Sequence, residues 1–97
     1  MTSELSRERR LGAALAAAFP GATVAVRDDS HLHAGHAGAR AGGETHYGVR
    51  VIWPGFEGQN RVARQRAVNA AVAAEFTSGL HALAVEARTP EEAARAG

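Results

Sequence analysis

The sequence predicts an α+β domain in the order αββαβα, with a three-stranded mixed sheet carrying its helices on one face. Three observations predict it. Stretches of helical and of period-two apolar spacing follow one another along the chain, Gly and Pro punctuate the junctions, and 97 residues allow one core but not a second. Residues 1–97 are therefore read as a single domain.

Residues 4–19 form the first helix, because Leu11, Leu15 and Phe19 recur at i, i+4 and i+8 while Arg7, Arg9 and Arg10 crowd the solvated first turns. Pro20 and Gly21 stop it. In the first strand, residues 22–28, Val24 and Val26 alternate with Thr23 and Arg27. The second strand covers residues 44–53, with Tyr47, Val49, Val51 and Trp53 on one face and His46, Arg50 and Ile52 on the other. Between the strands lies a histidine-rich loop, residues 29–43, with no periodicity; loops of this length in compact domains are usually functional or disordered.

Residues 57–76 predict a second helix with Val68, Val72 and Phe76 as its apolar stripe, closed by Ser78 and Gly79. The third strand, residues 80–88, gives His81, Leu83, Val85 and Ala87 one parity. Thr89 then reads as an N-cap, with Pro90 at the first helical position and Glu92 completing a capping box for a short terminal helix.

Composition excludes several functions. The 11 cationic residues, all arginine, face 10 acidic ones for a net charge of +1, so bulk charge calls for no polyanionic partner, although a local basic face is open. The chain has no cysteine, which rules out disulfides, thiolate catalysis and a self-contained iron–sulfur site. Its charged first residues do not read as a signal peptide, and no stretch approaches the ~20 apolar residues of a membrane span. A soluble cytoplasmic protein with no membrane contact is expected.

Three stretches could carry chemistry. His31, His33 and His36 lie within six positions, and neutral imidazole is a common ligand for zinc, copper and iron. Their spacing imitates the H-x-H-x-D-H of metallo-β-lactamase-like hydrolases, but Gly35 stands where the aspartate belongs and that family needs a far larger fold. A solvated loop with no ligand is the plain alternative. His81 shares the parity of Leu83 and Val85, so it reads either as a core or edge histidine or, at the start of its strand, as a residue reaching the surface; His46 reads as an exposed strand residue.

The third stretch is an arginine-rich helix start, Arg61, Arg64 and Arg66, preceded by Gly55-Phe56-Glu57-Gly58, which matches the GxxG of KH domains. Glu57 places negative charge where a phosphate would lie, and a solvated helix face is the plainer reading. Ser30, beside His31 and Asp28, lacks the rigid scaffold that a triad needs.

Taken together, "DDSHLHAGH" (28–36), "GETHY" (43–47), "FEGQNRVARQRAV" (56–68), "GLHAL" (79–83) and "TPEE" (89–92) resemble the BolA proteins over nearly the whole chain. The resemblance implies a fold similar to class II KH domains. It also implies a non-enzymatic role, in which a monothiol glutaredoxin is the partner and a glutathione-containing 2Fe–2S cluster is shared with it, for iron–sulfur trafficking or iron regulation. No cluster is expected on the isolated chain, which would be a monomer or a weak homodimer.

By position, the family's C-terminal ligand histidine falls on His81, and its loop ligand falls on His33, with His31 and His36 as substitutes. Two imidazoles on one iron are the Rieske arrangement, which raises the potential above that of all-thiolate ligation. One departure stands at Gln65, where many members carry a histidine between two arginines. Some members are described as DNA-binding transcriptional regulators, a role that here would use Arg61, Arg64 and Arg66 on the KH-like surface.

Overall fold

The structure, a computed structural model, describes residues 6–29 and 46–96. Helix α1 (Arg7–Ala18) begins where the Ser6 hydroxyl accepts a hydrogen bond from the Arg9 amide at 3.3 Å, satisfying an amide that has no partner inside the helix. Leu11, Leu15 and Phe19 are buried in the expected stripe. Gly21, at φ +86°, then takes a left-handed conformation open to glycine at little cost, and the chain reverses into the sheet.

Strands β1 (Thr23–Asp28) and β2 (His46–Ile52) pair antiparallel, with Thr23 opposite Ile52 and Asp28 opposite Tyr47. Strand β3 (Ala82–Arg88) pairs parallel with β2, His46 opposite Ala82 and Ile52 opposite Arg88, giving the order β1-β2-β3. A parallel pair needs a long crossover. Helices α2 (Arg61–Ala71) and α3 (Ala73–Thr77) supply it, and α4 (Pro90–Ala96) follows β3. The αββαβα order and the mixed sheet are those expected.

Tyr47, Val49 and Val51 turn inward from β2 and join Leu11, Leu15, Val68 and Val72 in one core. Phe19, Trp53 and Phe56 close one end of it, each ring centroid 5.1–5.3 Å from the other two, in the tilted and edge-on contacts that aromatic quadrupoles favour. The Trp53 indole donates to the Pro20 carbonyl at 2.9 Å, so the end of α1 and the exit of β2 are pinned together.

The second helix differs from the expected 57–76. Pro54–Phe56 forms a single 3₁₀ turn, Asn60 caps α2 through the Ala63 amide at 2.8 Å, and at Val72, φ −115° and ψ 22°, the helix breaks before α3. The break shifts the phase of the stripe. Val68 and Val72 remain fully buried, whereas Phe76, expected in the core, is 39% exposed, and Leu80 is buried in the core.

Turned inward from α3 is Glu75, a carboxylate that burial would penalise without partners. Arg7 donates to its Oε1 at 2.8 Å, and Arg10 donates to Oε2 at 2.9 Å and to Oε1 at 3.1 Å. Arg7 also reaches the Glu75 carbonyl and both the hydroxyl and the carbonyl of Ser78. The start of α1 is thereby clamped to the turn that leads into β3.

A second clamp holds α4. The capping box forms as expected, with the Glu92 amide donating to the Thr89 hydroxyl at 3.2 Å and the Thr89 amide to Glu92 at 2.9 Å. Arg64 adds two hydrogen bonds to the same carboxylate, at 2.6 and 3.1 Å.

Both clamps set a pH dependence. Arg10 and Arg7 hold the Glu75 carboxyl below the ordinary carboxylate range, and Arg64, with the Thr89 amide, lowers Glu92 to about 2. A carboxyl depressed on folding contributes stability that is complete above its unfolded pKa of about 4.5 and is lost as pH falls toward its folded value. Urea denaturation is expected to give constant stability from neutral pH to about 5 and a decline below that. Glu75→Ala, which strands Arg7, should cost about 2–4 kcal/mol at pH 7, and Glu92→Gln should flatten the acid limb.

Candidate functional site

The parallel register of β2 and β3 decides which histidines meet. His46 opens β2 opposite Ala82, and His81 is the residue immediately before. The two imidazoles stack with centroids 5.7 Å apart and planes 21° from parallel. His81 is exposed and His46 half-buried. Among the described residues no hydrogen bond occupies the His81 ring, so its nitrogens are open to a ligand from outside.

What delivers His81 to the surface is the turn before it. The Leu80 amide donates to the Glu75 carbonyl at 2.8 Å, Leu80 is buried, and Gly79 adopts φ +126°, with Arg7 only 3.2 Å from where its side chain would begin. A residue with a β-carbon would be strained at that φ. Burying Leu80 and reversing at Gly79 leaves His81 outside.

On the neighbouring strand, the Asp29 amide donates to the His46 carbonyl at 2.7 Å. The two ends of the segment 30–45 are thus fastened to each other beside the histidine pair. Arg27 strengthens this root: its guanidinium donates to both Asp29 carboxylate oxygens, at 2.7 and 2.9 Å, and this hydrogen bond and charge raise the Arg27 pKa above its ordinary value. The guanidinium lies over Gly48, opposite Arg27 in the ladder, and occupies the space that a β-carbon there would need.

His31, His33 and His36, and Ser30, lie outside the described residues. Among the described residues no group of three or more His, Cys, Asp or Glu side chains could hold a metal ion. The structure nevertheless adds His46 to the site and corrects its reading as a merely exposed strand residue. Only the strand register places it against His81, and hydrophobic periodicity carries no signal of register between distant strands.

The arginine face divides. Arg61 and Arg66 are exposed, but Arg64 is held by Glu92, by the Gln59 carbonyl at 2.9 Å and by the Ala87 carbonyl at 3.1 Å, and it lies over the Phe56 ring. Within Gly55-Phe56-Glu57-Gly58, Phe56 is fully buried and Glu57 faces solvent. Gln65 is exposed on α2. No described helix is long and apolar enough to cross a membrane.

The Arg27 platform yields a prediction. Gly48→Ala should push the guanidinium off the strand and loosen its grip on Asp29, seen in NMR as faster exchange of the Arg27 Nε proton, with little change in Tm because the displaced group is the far end of an exposed side chain.

Residues 15–92 match the family model described as BolA-like protein. The chain is 44% identical over 71 residues to Protein BOLA1, chloroplastic, of Arabidopsis thaliana, an alignment covering 71% of this chain and 44% of that relative, so the chain spans under half its length. UV-induced protein uvi31 of Schizosaccharomyces pombe is 34% identical over 92 residues, covering 91% of this chain and 90% of the relative. The solved BolA domain of SufE1 from Arabidopsis thaliana superimposes with a TM-score of 0.78 at 36% identity, covering 93% of this chain and 99% of that one. With the family model running from the middle of α1 into α4 and the same mixed sheet in a solved relative, the chain belongs to the BolA-like protein family.

Proposed function

We propose that this protein is a non-enzymatic adaptor that shares a glutathione-containing 2Fe–2S cluster with a monothiol glutaredoxin. The observation that carries the reading is the His81 ring, exposed, stacked on His46 and set beside both ends of the segment that bears His31, His33 and His36. The donor set fits such a cluster. A chain without cysteine offers nitrogen only, and imidazole nitrogen suits iron. His81 and one loop histidine, His33 first, would ligate one iron, and the partner and glutathione would supply thiolate to the other.

When bound, the cluster would supply one-electron chemistry, at a potential raised by imidazole ligation above that of an all-thiolate cluster. The chain's own residues have simpler tasks. Glu75 and Gly79 hold His81 outward, His46 stacks on the His81 ring, and the Arg27–Asp29 pair with the Asp29–His46 backbone bond fastens residues 29 and 46 together beside that ring. A site open on one side suits a ligand set completed only when a second protein docks.

The duplex-binding reading draws less support. Its central cation, Arg64, is committed to Glu92 and Phe56, and Glu57 faces the solvent where a phosphate would approach.

Reconstitution of iron and sulfide with a monothiol glutaredoxin and glutathione, with and without this chain, tests the proposal. A new visible circular dichroism spectrum that saturates at one equivalent is expected. His81→Ala should abolish it while leaving the far-ultraviolet spectrum intact, His33→Ala should alter it, and His46→Ala should perturb it less than His81→Ala. A spectrum identical to that of the glutaredoxin alone would overturn the reading.

A further inference from the structure

Strand β3 is an edge of the sheet, and among the described residues no further strand pairs with it. The Trp53 amide donates to the Arg88 carbonyl at 2.9 Å, so Arg88, and at two-residue steps Glu86, Ala84 and Ala82, turn their backbone groups toward β2. Leu83, Val85 and Ala87 turn theirs outward. The Ala87 carbonyl is met by Arg64 at 3.1 Å. Among the described residues no backbone partner takes the outward groups of Leu83 or Val85. Exposed edges are usually blunted by proline, a bulge or a covering segment, and β3 contains no proline.

Alongside this edge runs a cleft of about 600 Å³ between β3 and the start of α2. Its charges do not cancel. Glu92 is held by Arg64 and Glu86 by Arg88 at 2.7 Å, which leaves Arg61, exposed on the α2 wall, in surplus. The first turn of α2 carries no acidic side chain to offset the positive end of its helix dipole. Val85 and Ala87 give the floor an apolar strip.

We propose that the outer edge of β3 takes a short, extended, acidic segment of a partner protein as an added strand, its backbone paired with Leu83 and Val85 and a carboxylate set against Arg61. Alternate side chains of such a strand face the same way, so one series would meet the apolar strip while strand pairing supplies the hydrogen bonds. A polynucleotide fits less well, because Glu86 and Glu92 line the cleft and the edge presents a peptide's spacing of donors and acceptors. This surface does not rest on the cluster reading, although its N-terminal end lies next to His81.

Titration of the ¹⁵N-labelled full chain with the capped peptide Thr-Glu-Val-Glu-Val-Thr, followed by NMR, tests it. The expected result is a saturable shift of the Leu83 and Val85 amides with slowed hydrogen exchange at both, and an affinity about tenfold weaker in Arg61→Glu. Val85→Pro removes an outward N–H that β2 does not use, and it should abolish binding without changing the far-ultraviolet spectrum. If that variant does not fold, amide exchange and Arg61→Glu still decide. No saturable shift at millimolar peptide, shifts confined to β1, equal affinity for the Lys-for-Glu peptide, or binding of a single-stranded oligonucleotide that the peptide cannot displace would overturn the proposal.

Discussion

One buried carboxylate orders the part of the molecule that matters most. Glu75 sits on α3 where the helical phase, shifted by the break at Val72, turns it inward. Arg7 and Arg10 from α1 accept the task of neutralising it, and its carbonyl receives both Arg7 and the Leu80 amide. Without two guanidinium groups the burial would be costly. With them, the crossover between β2 and β3 ends at a defined place, Leu80 goes into the core, and His81 emerges at the mouth of β3.

From that exit point the sheet does the rest. A mixed sheet with β2 in the middle lets its first residue neighbour both the end of β1 and the start of β3, so His46 touches the Asp29 root on one side and His81 on the other. Two residues further along β2, the absence of a side chain at Gly48 gives the Arg27 guanidinium the space from which it holds Asp29. The histidine pair sits at strand ends and draws on little of the core beneath it, which is filled by Leu11, Leu15, Val51, Phe56, Val68 and Val72.

Much of the fold was legible in the sequence, for physical reasons that differ by element. The stripe Leu11, Leu15 and Phe19 and the alternation in β1 and β2 depend on local periodicity, and the structure repeats them; the Thr89–Glu92 capping box is a local motif and also appears. Phe76 was misread because a continuous stripe assumes a continuous helix, and no residue near Val72 announces a break as proline or glycine would. The polar clamps pair residues 28 and 68 positions apart, beyond the reach of any periodicity. The family resemblance singled out His81, whereas His46 became part of the site only through the strand register. Residues 31, 33 and 36 lie outside the described part of the chain, so their proposed role as ligands rests on the resemblance.

The central claim is that this chain gives imidazole nitrogen to one iron of a 2Fe–2S cluster whose other iron is held by thiolate from the partner and glutathione. Pulsed electron paramagnetic resonance on the reduced cluster tests that most directly, using this chain labelled with ¹⁵N-histidine and an unlabelled glutaredoxin with unlabelled glutathione. The account predicts strong ¹⁵N couplings from two imidazoles, one of which disappears in His33→Ala. A reduced cluster that shows no ¹⁵N-histidine coupling would contradict it.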